Sequence, residues 1–174
     1  MNKDHKTPRV YLAGPGVFRG DAKSFGDTLK EKCARVGLVG CFPLDNEVGG
    51  DTPRQKAELI YRANVDLINC AHAIIADISP FRGPNMDPGT AWEIGYGVAR
   101  GLPIYAWSTD LSHLLERTQR HAGKGVDVID TNGWAIENFG LVENLMIAMS
   151  SVSISASADD AILACAAALT RREA

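Results

Sequence analysis

Short runs of consecutive apolar residues alternate along the chain with segments in which apolar residues recur at helical spacing. Strands that are covered on both faces are apolar throughout, so the runs predict buried strands. These runs are Val10–Gly14, Leu38–Phe42, Ala73–Asp77 and Pro103–Trp107. The helical patterns between them cover Ala22–Val36, a long segment from Pro53 with Asp51 or Thr52 as its cap, and Pro88–Arg100. This alternation predicts an α/β fold, a mostly parallel sheet with helices on both faces.

The pattern weakens after Thr109. Helices are expected at Leu111–Gln119, Glu143–Met149 and Asp159–Arg171, with a short strand at Val126–Ile129. The stretch SVSISASADD after Ser150 has no firm assignment; an edge strand followed by a helix cap is one interpretation. Because no repeat, linker or low-complexity tract interrupts the chain, a single domain over residues 1–174 is expected.

Composition excludes several classes of function. The net charge is −3, from 18 basic and 21 acidic residues, which argues against a broad surface for nucleic acid or anionic membranes. No apolar run approaches the roughly 20 residues of a membrane span, and MNKDHKTPR lacks the apolar segment of an export signal. The four cysteines and four histidines are dispersed without a metal-binding spacing. A cytoplasmic protein with reduced thiols and no metal is expected.

Two loops are richer in Gly, Pro, Arg and Asp than simple connections require. They are GPGVFRGD after the first strand and DISPFRGPNMD after the third. In a doubly wound sheet, ligands bind beyond the carboxyl ends of the strands, where the strand order reverses. The order 2-1-3-4-5 would put that crevice between strands 1 and 3, whereas the order 3-2-1-4-5 would move it. The first order makes neighbours of Tyr11, the Gly14–Gly20 loop, Asp77, Asp87 and Glu93.

The segment NMDPGTAWEIGYG carries two of these acids on one predicted helix. Asp87 precedes Pro88 and suits an N-cap, which by itself explains the residue without a ligand. Glu93 lies among apolar residues, and Gly97 four positions later is expected to leave space beside its carboxylate. Six residues at about 100° each separate Asp87 and Glu93 by about 120°. They share a site only if the cap leans over the helix end.

Three acids and a tyrosine, with no Walker loop and no G-x-G-x-x-G, narrow the chemistry. A carboxylate nucleophile paired with a second carboxyl acid is the arrangement that cleaves glycosidic bonds with retention. Glu93 is the candidate nucleophile. Tyr11 and Asp77 also have simpler interpretations. Tyr11 could be a core aromatic residue, and Asp77 could only bind backbone amides of the loop that follows it.

Four motifs resemble the nucleoside 2-deoxyribosyltransferases, in matching order over residues 9–150. They are VYLAGPGVF, FPLDNE, IADISPFRGPNMDPGTAWEIGYG and FGLVENLMI. The resemblance implies a flavodoxin-like fold of about five strands and transfer of 2-deoxyribose between nucleobases, without a cofactor. It assigns Glu93 as the nucleophile that carries the sugar as an ester, Asp77 as the proton shuttle to the base, and Asp87 as the ligand of a sugar hydroxyl. Tyr11 would orient the nucleophile.

The resemblance also implies substrate-binding residues and a partner. The substrates would be 2′-deoxynucleosides and free nucleobases, in a site that includes Gly14, Phe18, Phe81 and Met86. Base selectivity would depend on the loops that carry these residues and Val17. Asn144 and Met146 match an element that reaches into a neighbouring subunit, so a homo-oligomer, at least a dimer, is expected. The simpler interpretation of Asn144 is a helix cap.

Two alternatives remain open. The related deoxynucleoside 5′-monophosphate N-hydrolases share fold and chemistry but bind the phosphate through Ser-rich loops. The first loop here has no serine until Ser24, which favours a free 5′-hydroxyl, although Arg19 or Arg82 could bind an anion. A second alternative is a nucleotide-sensing module that binds without turnover, for which a nucleophile at Glu93 has no use.

Overall fold

A computed structural model of the chain describes residues 7–46, 49–122, 128–130 and 132–171. These residues form one five-stranded sheet with the order β2-β1-β3-β4-β5. The strands are β1 (Arg9–Ala13), β2 (Val39–Cys41), β3 (Ala73–Asp77), β4 (Ile104–Trp107) and β5 (Ser151–Ser155). All neighbouring pairs are parallel. The predicted α/β class is confirmed, and the flavodoxin-like order puts the switch point between β1 and β3.

Six α-helices connect or flank the strands within the described residues. They are α1 (Ala22–Arg35), α2 (Pro53–Asn69), α3 (Pro88–Ala99), α4 (Leu114–Ala122), α5 (Leu145–Ser150) and α6 (Ala158–Arg171). Short 3-10 helices follow β1 and β2 at Pro15–Phe18 and Pro43–Asp45. Of the two predicted caps for α2, Thr52 is the one used, and its side chain accepts the Gln55 N–H in a capping box.

Most predicted boundaries agree with the structure within one or two residues. Helix α4 begins three residues later than expected, because the Asp110 carboxylate accepts the Ser112 N–H and holds a turn before the helix. The segment SVSIS forms the edge strand β5. Of the strand expected at Val126–Ile129, residues 126 and 127 lie outside the described residues, and Ile129 forms a single antiparallel bridge with Ala135.

Each face of the sheet has its own apolar core. On one face, α1 and α6 pack through side chains such as Leu29, Cys33 and Ile162. On the other, α2 and α3 pack through Ile68 and Ile94. Tyr11 of β1 faces this second layer and has no exposed surface. Strand β1 therefore presents its tyrosine to the helix that carries Glu93.

Gly97 of α3 has a different role from the one expected. A Cβ at this position would lie 2.4 Å from Cδ1 of Ile74 and 3.4 Å from Cδ1 of Ile104. The glycine therefore lets α3 pack closely on β3 and β4, and the expectation that it leaves space beside Glu93 is wrong. Gly95, whose Cβ would meet nothing within 4 Å, lies on the exposed side of the helix.

The four cysteines are free thiols, with Cys70 exposed and the other three buried. No helix in the described part of the chain combines the length and the apolar character that a membrane crossing requires.

Candidate active site

A cavity of about 660 Å³ opens at the carboxyl end of β1 and the start of α3, within the range of small-molecule sites. Its walls come from the loop after β1, the segment after β2, helix α2 and the first two turns of α3. The lining residues are Gly14, Val17, Phe18, Lys23, Pro43, Leu44, Asn46, Lys56, Ile60, Ala63, Asn64, Asp87, Gly89, Thr90 and Glu93. The surface is mainly apolar, with two carboxylates at the start of α3 and amine and amide groups opposite.

The Tyr11 hydroxyl donates a hydrogen bond to Oε1 of Glu93, with 2.5 Å between the oxygens. The tyrosine is held by the sheet and the acid by α3, so both partners sit on rigid elements. Burial, and then the negative charge of Glu93, raise the pKa of Tyr11 well above its usual range. The hydroxyl therefore stays protonated and fixes Oε1, while Oε2 has no hydrogen bond within the described residues and Glu93 lines the cavity.

Burial raises the pKa of Glu93 from 4.5 to about 7. The hydrogen bond from Tyr11 opposes this shift, whereas the nearby charge of Asp87 adds to it. A carboxylate that is poorly solvated and lies beside another acid retains more of its nucleophilic character than one in water. Glu93 is thus the acid in the cavity whose environment is most typical of a reacting group.

Asp87 is both the cap of α3 and a cavity residue. Its Oδ2 accepts the Thr90 N–H at 2.9 Å and the Thr90 hydroxyl at 3.0 Å. Within the described residues its Oδ1 has no recorded hydrogen bond. The cap leans over the helix end, so Asp87 and Glu93 line the same cavity although they are six residues apart.

Asp77 lies beside this cavity rather than in its wall. It lines a narrow crevice that shares Gly14 with the cavity. Gly14 has a φ of 149°, and a Cβ there would lie 2.7 Å from the Asp77 Cβ, so only glycine allows this approach. Burial raises the pKa of Asp77, while hydrogen bonding from Ser79 acts in the opposite direction. The result favours a carboxyl group that can hold a proton.

An aromatic pair borders the cavity. The rings of Phe18 and Phe81 stack with their centroids 5.4 Å apart, and the Arg82 guanidinium lies 4.6 Å from the centroid of Phe81. Phe18 lines the cavity and is 58% exposed, which leaves much of its surface open to a planar ligand. Arg82 has a φ of 56°, a left-handed conformation that is uncommon for a residue with a side chain.

Three further predicted residues lie away from the cavity of their own chain. Met86 is buried in the core with Tyr11 and Ile94. Asn144 caps α5, because its Oδ1 accepts the Met146 N–H, and it also donates to Glu137. Met146 is 71% exposed. Neither Asn144 nor Met146 lines the cavity of the same chain.

Helix α2 supplies a cavity wall that the sequence analysis did not identify. Lys56, Ile60 and Asn64 recur every four residues and so lie on one helix face. This spacing is visible in the sequence, but it matches any amphipathic helix and gains meaning only once α2 is placed against the switch point. Pro43, Leu44 and Asn46 belong to the FPLDNE motif, from which no site residue had been selected.

Within the described ranges, no group of three or more His, Cys, Asp or Glu side chains is arranged to hold an ion. The chemistry available to the cavity residues is nucleophilic attack by a carboxylate and proton transfer by carboxyl groups.

Comparison with known proteins gives a consistent result. Residues 10–146 match the family model described as nucleoside 2-deoxyribosyltransferase. An uncharacterised protein of Schizosaccharomyces pombe is 33% identical over 160 residues, covering 82% of this chain and 76% of the relative. A 2-deoxyribosyltransferase from Leishmania mexicana superposes with a TM-score of 0.76 at 32% identity, covering 92% of this chain and 97% of that one.

A more distant structure shares the fold. The 2-deoxyribosyltransferase from Bacillus psychrosaccharolyticus has a TM-score of 0.56 at 19% identity, and the match covers 87% of this chain and 88% of that one. The family match spans most of the chain, in agreement with the resemblance in its motifs. This chain belongs to the nucleoside 2-deoxyribosyltransferase family.

Proposed function

We propose that this protein transfers 2-deoxyribose between nucleobases through a covalent ester on Glu93. The observation that carries the proposal is the Glu93 carboxylate itself, which faces a cavity of ligand size while the Tyr11 hydroxyl holds one of its oxygens. A carboxylate that served only the fold would be expected to be fully solvated or paired with a cation. Membership of the family supports the same chemistry.

The reaction divides into two displacements at C1′ of the sugar. In the first, Oε2 of Glu93 attacks C1′ and forms an ester while the N-glycosidic bond breaks. The bonding pair passes to the base nitrogen, and Asp77 gives the departing base a proton. In the second, a nitrogen of the incoming base attacks C1′, the ester bond breaks, and Asp77 accepts the proton of that base. Two inversions give net retention at C1′.

Other residues would position the substrate. Oδ1 of Asp87 is available to accept a hydrogen bond from a sugar hydroxyl, since only Oδ2 is engaged by Thr90. The exposed ring of Phe18, which Phe81 supports by stacking, offers a surface for the base. Gly14 and Met86 would shape the site from behind, Gly14 by admitting Asp77 and Met86 by packing under Tyr11.

The direct test is base exchange. Incubation of the protein with 2′-deoxyinosine and adenine is expected to yield 2′-deoxyadenosine and hypoxanthine in equal amounts, measured by chromatography. A parallel reaction without adenine shows how much sugar passes to water. Release of hypoxanthine and free deoxyribose, with no deoxyadenosine in either reaction, would contradict the transferase proposal.

One observation favours the 5′-monophosphate hydrolase as a second candidate. Lys23 and Lys56 line the cavity, and neither takes part in the salt bridges found among the described residues. Ammonium groups in the wall of a cavity suit an anionic substituent on the sugar. A hydrolase would act on 2′-deoxyinosine 5′-monophosphate faster than on the nucleoside and would ignore added adenine. Binding of either compound without turnover would point instead to a sensing module.

We also propose that the protein is a homo-oligomer in which Asn144 and Met146 complete the site of a neighbouring subunit. The proposal is supported by their position, outside the cavity of their own chain. It is further supported by apolar surface around them, where Met146 is 71%, Met149 73% and Val152 61% exposed. Large apolar side chains that are exposed close together along the chain, as these are, suit a surface that a second subunit covers.

A mixing experiment tests the shared site. Glu93→Gln and Asn144→Ala variants are each expected to exchange bases poorly, while mixed oligomers regain activity. A site is intact only if its Glu93 comes from the Asn144→Ala variant and its Asn144 from the Glu93→Gln variant. Each condition is met half of the time, so random one-to-one mixing predicts about a quarter of wild-type activity. Circular dichroism of Asn144→Ala controls for loss of its helix cap. If the mixture is no more active than the mean of the two variants, the shared site is excluded.

A further inference from the structure

Arg117 and Glu143 form an ion pair that is unusually well buried for charged residues. Nη2 of Arg117 lies 2.6 Å from Oε2 of Glu143, and each side chain is 2% exposed. The other salt bridges of the described residues have side chains that are roughly a third or more exposed. Removal of two charges from water is costly, so apolar residues of similar volume often stabilise a fold equally well. The pair therefore calls for a role other than stability.

The guanidinium of Arg117 connects two loops at the carboxyl end of the sheet. Its Nε donates to the Pro84 carbonyl at 3.0 Å, in the loop that follows β3. Its Nη1 donates to the Ser112 carbonyl at 3.2 Å and to that of Asp110 at 3.4 Å, in the loop that follows β4. Only the planar five-donor fork of arginine can satisfy these carbonyls and a carboxylate at the same time.

The carboxylate of Glu143 connects the start of α5 to the loop that follows β3. Its Oε1 accepts the Asn144 N–H at 3.2 Å, and the backbone N–H of Met86 lies near enough to help lower the pKa of the carboxyl group against the effect of burial. Met86 directly precedes Asp87, the cap of α3 and a cavity residue. Asn144 directly follows Glu143 and caps α5. One ion pair thus lies against the backbone next to both Asp87 and Asn144. In the proposed function these two residues contact the same substrate from different subunits.

We infer that Arg117 and Glu143 are positioning residues, which hold the Asp87 and Asn144 segments in register for substrate binding. The inference rests on the proposed function for the roles of Asp87 and Asn144. Among the described residues, neither Tyr11 nor Glu93 forms a hydrogen bond or ion pair with Arg117 or Glu143, and the bond between Tyr11 and Glu93 is held by β1 and α3. The reacting carboxylate is therefore expected to keep its geometry when the pair is altered. The pair governs how well the sugar is held and leaves the nucleophile unchanged.

The test is a comparison of Arg117→Lys with Arg120→Lys. Both substitutions keep the charge, and both arginines lie on α4, but the side chain of Arg120 is 57% exposed. Lysine at 117 cannot satisfy Pro84, Ser112 and Glu143 together. The expected result is an increase of about tenfold or more in KM for 2′-deoxyinosine, since displacements near 1 Å can cost about 100-fold, with kcat changed less than about threefold. Arg120→Lys is expected to keep the wild-type KM.

The division between KM and kcat separates positioning from simple loss of folded protein. A smaller folded fraction lowers apparent kcat in proportion and leaves KM unchanged. If Arg117→Lys does not fold, the double variant Arg117→Met with Glu143→Leu removes both charges and is expected to fold with the same rise in KM. An unchanged KM in the variant that folds would overturn the inference.

Amide hydrogen exchange gives a readout that does not depend on catalysis. Loss of the pair is expected to speed exchange at the Met86 and Asn144 amides, while amides of β3 keep their protection. Unchanged exchange at both amides would also overturn the inference. If the wild-type protein transfers no sugar between bases, the proposed function fails. The amide hydrogen-exchange rates would still decide whether the ion pair holds the two segments.

Discussion

Replacement of Glu93 by glutamine is expected to abolish base exchange. An amide has no free electron pair on an anionic oxygen, so it cannot attack C1′ to form the ester. Loss of the nucleophile in enzymes with covalent intermediates typically lowers kcat by about 10⁴-fold or more, and a loss of at least that size is expected here. Glutamine keeps the length of the side chain and can still accept the hydrogen bond that Tyr11 donates at 2.5 Å. Deoxynucleoside binding should therefore survive.

Two measurements make this result specific. Calorimetric titration of 2′-deoxyinosine into Glu93→Gln should give a Kd within about threefold of the Kd of Asp77→Asn, which also blocks turnover but leaves the nucleophile. Glu58→Gln, on the exposed face of α2, controls for the loss of a carboxylate and should exchange bases normally. In wild type without an acceptor base, mass spectrometry of the Glu93 peptide should show a deoxyribosyl adduct. Turnover by Glu93→Gln at more than about a hundredth of the wild-type rate would exclude Glu93 as nucleophile.

The part of the site built from local patterns is well predicted by the sequence. Asp87 before Pro88 is recognisable as a helix start, and its Thr90 bonds follow from cap geometry. The proximity of Tyr11 and Glu93 follows from the order 2-1-3-4-5, whereas the role of Tyr11 in orienting Glu93 is implied by the family resemblance. Each of these inferences needs only one strand, one helix and the switch-point rule.

The features that the sequence does not predict depend on tertiary packing. Gly97 is the clearest case, because a glycine near Glu93 in the sequence faces Ile74 and Ile104 in the structure. The α2 wall cannot be assigned without knowing which face of α2 turns to the cavity. The Arg117–Glu143 pair joins residues 26 positions apart and adds a hydrogen bond to Pro84, and no local pattern marks such a pair.

The exposed surfaces of α2 and α3 fit the proposed assembly. Leu59 is 42% exposed, and Tyr61, Trp92 and Tyr96 form a chain of ring contacts on the outside of the molecule. Apolar residues on the outer side of a helix are exposed to water, and their burial under a second surface stabilises the assembly. The apolar residues of NMDPGTAWEIGYG therefore lie on two sides of α3. Ile94 and Gly97 pack on the sheet, and Trp92 lies on the outer face.

Glu93→Gln is also expected to stabilise the fold, and the gain should depend on pH. The pKa of Glu93 is about 7 in the folded protein, against 4.5 in the unfolded chain. Below pH 4.5 both states are protonated, so the acid costs nothing. Between 4.5 and 7 the folded state holds a proton that the unfolded state has released, so wild-type stability falls as pH rises. Above pH 7 both are ionised and the full cost is present.

The size of this cost follows from the pKa difference. At about 1.4 kcal/mol per unit the difference corresponds to about 3 kcal/mol, and partial exposure of the side chain reduces the expected value to about 2 kcal/mol. The free energy of unfolding, measured in urea at equal protomer concentration, should therefore favour Glu93→Gln over wild type by about 2 kcal/mol more at pH 8 than at pH 4. Comparison of the two proteins at each pH cancels the titration of all other groups.

Glu58→Gln, which removes an exposed carboxylate from α2, is measured at the same two pH values as the control. If the gain in free energy of unfolding for Glu93→Gln does not change with pH, ionisation of Glu93 does not destabilise the folded state. A gain that grows between pH 4.5 and 7 and levels off at higher pH would instead identify Glu93 as a residue kept at the expense of stability. Such a cost is expected of a group that must react, because the burial that raises its pKa also withholds the solvation that would quench its attack on C1′.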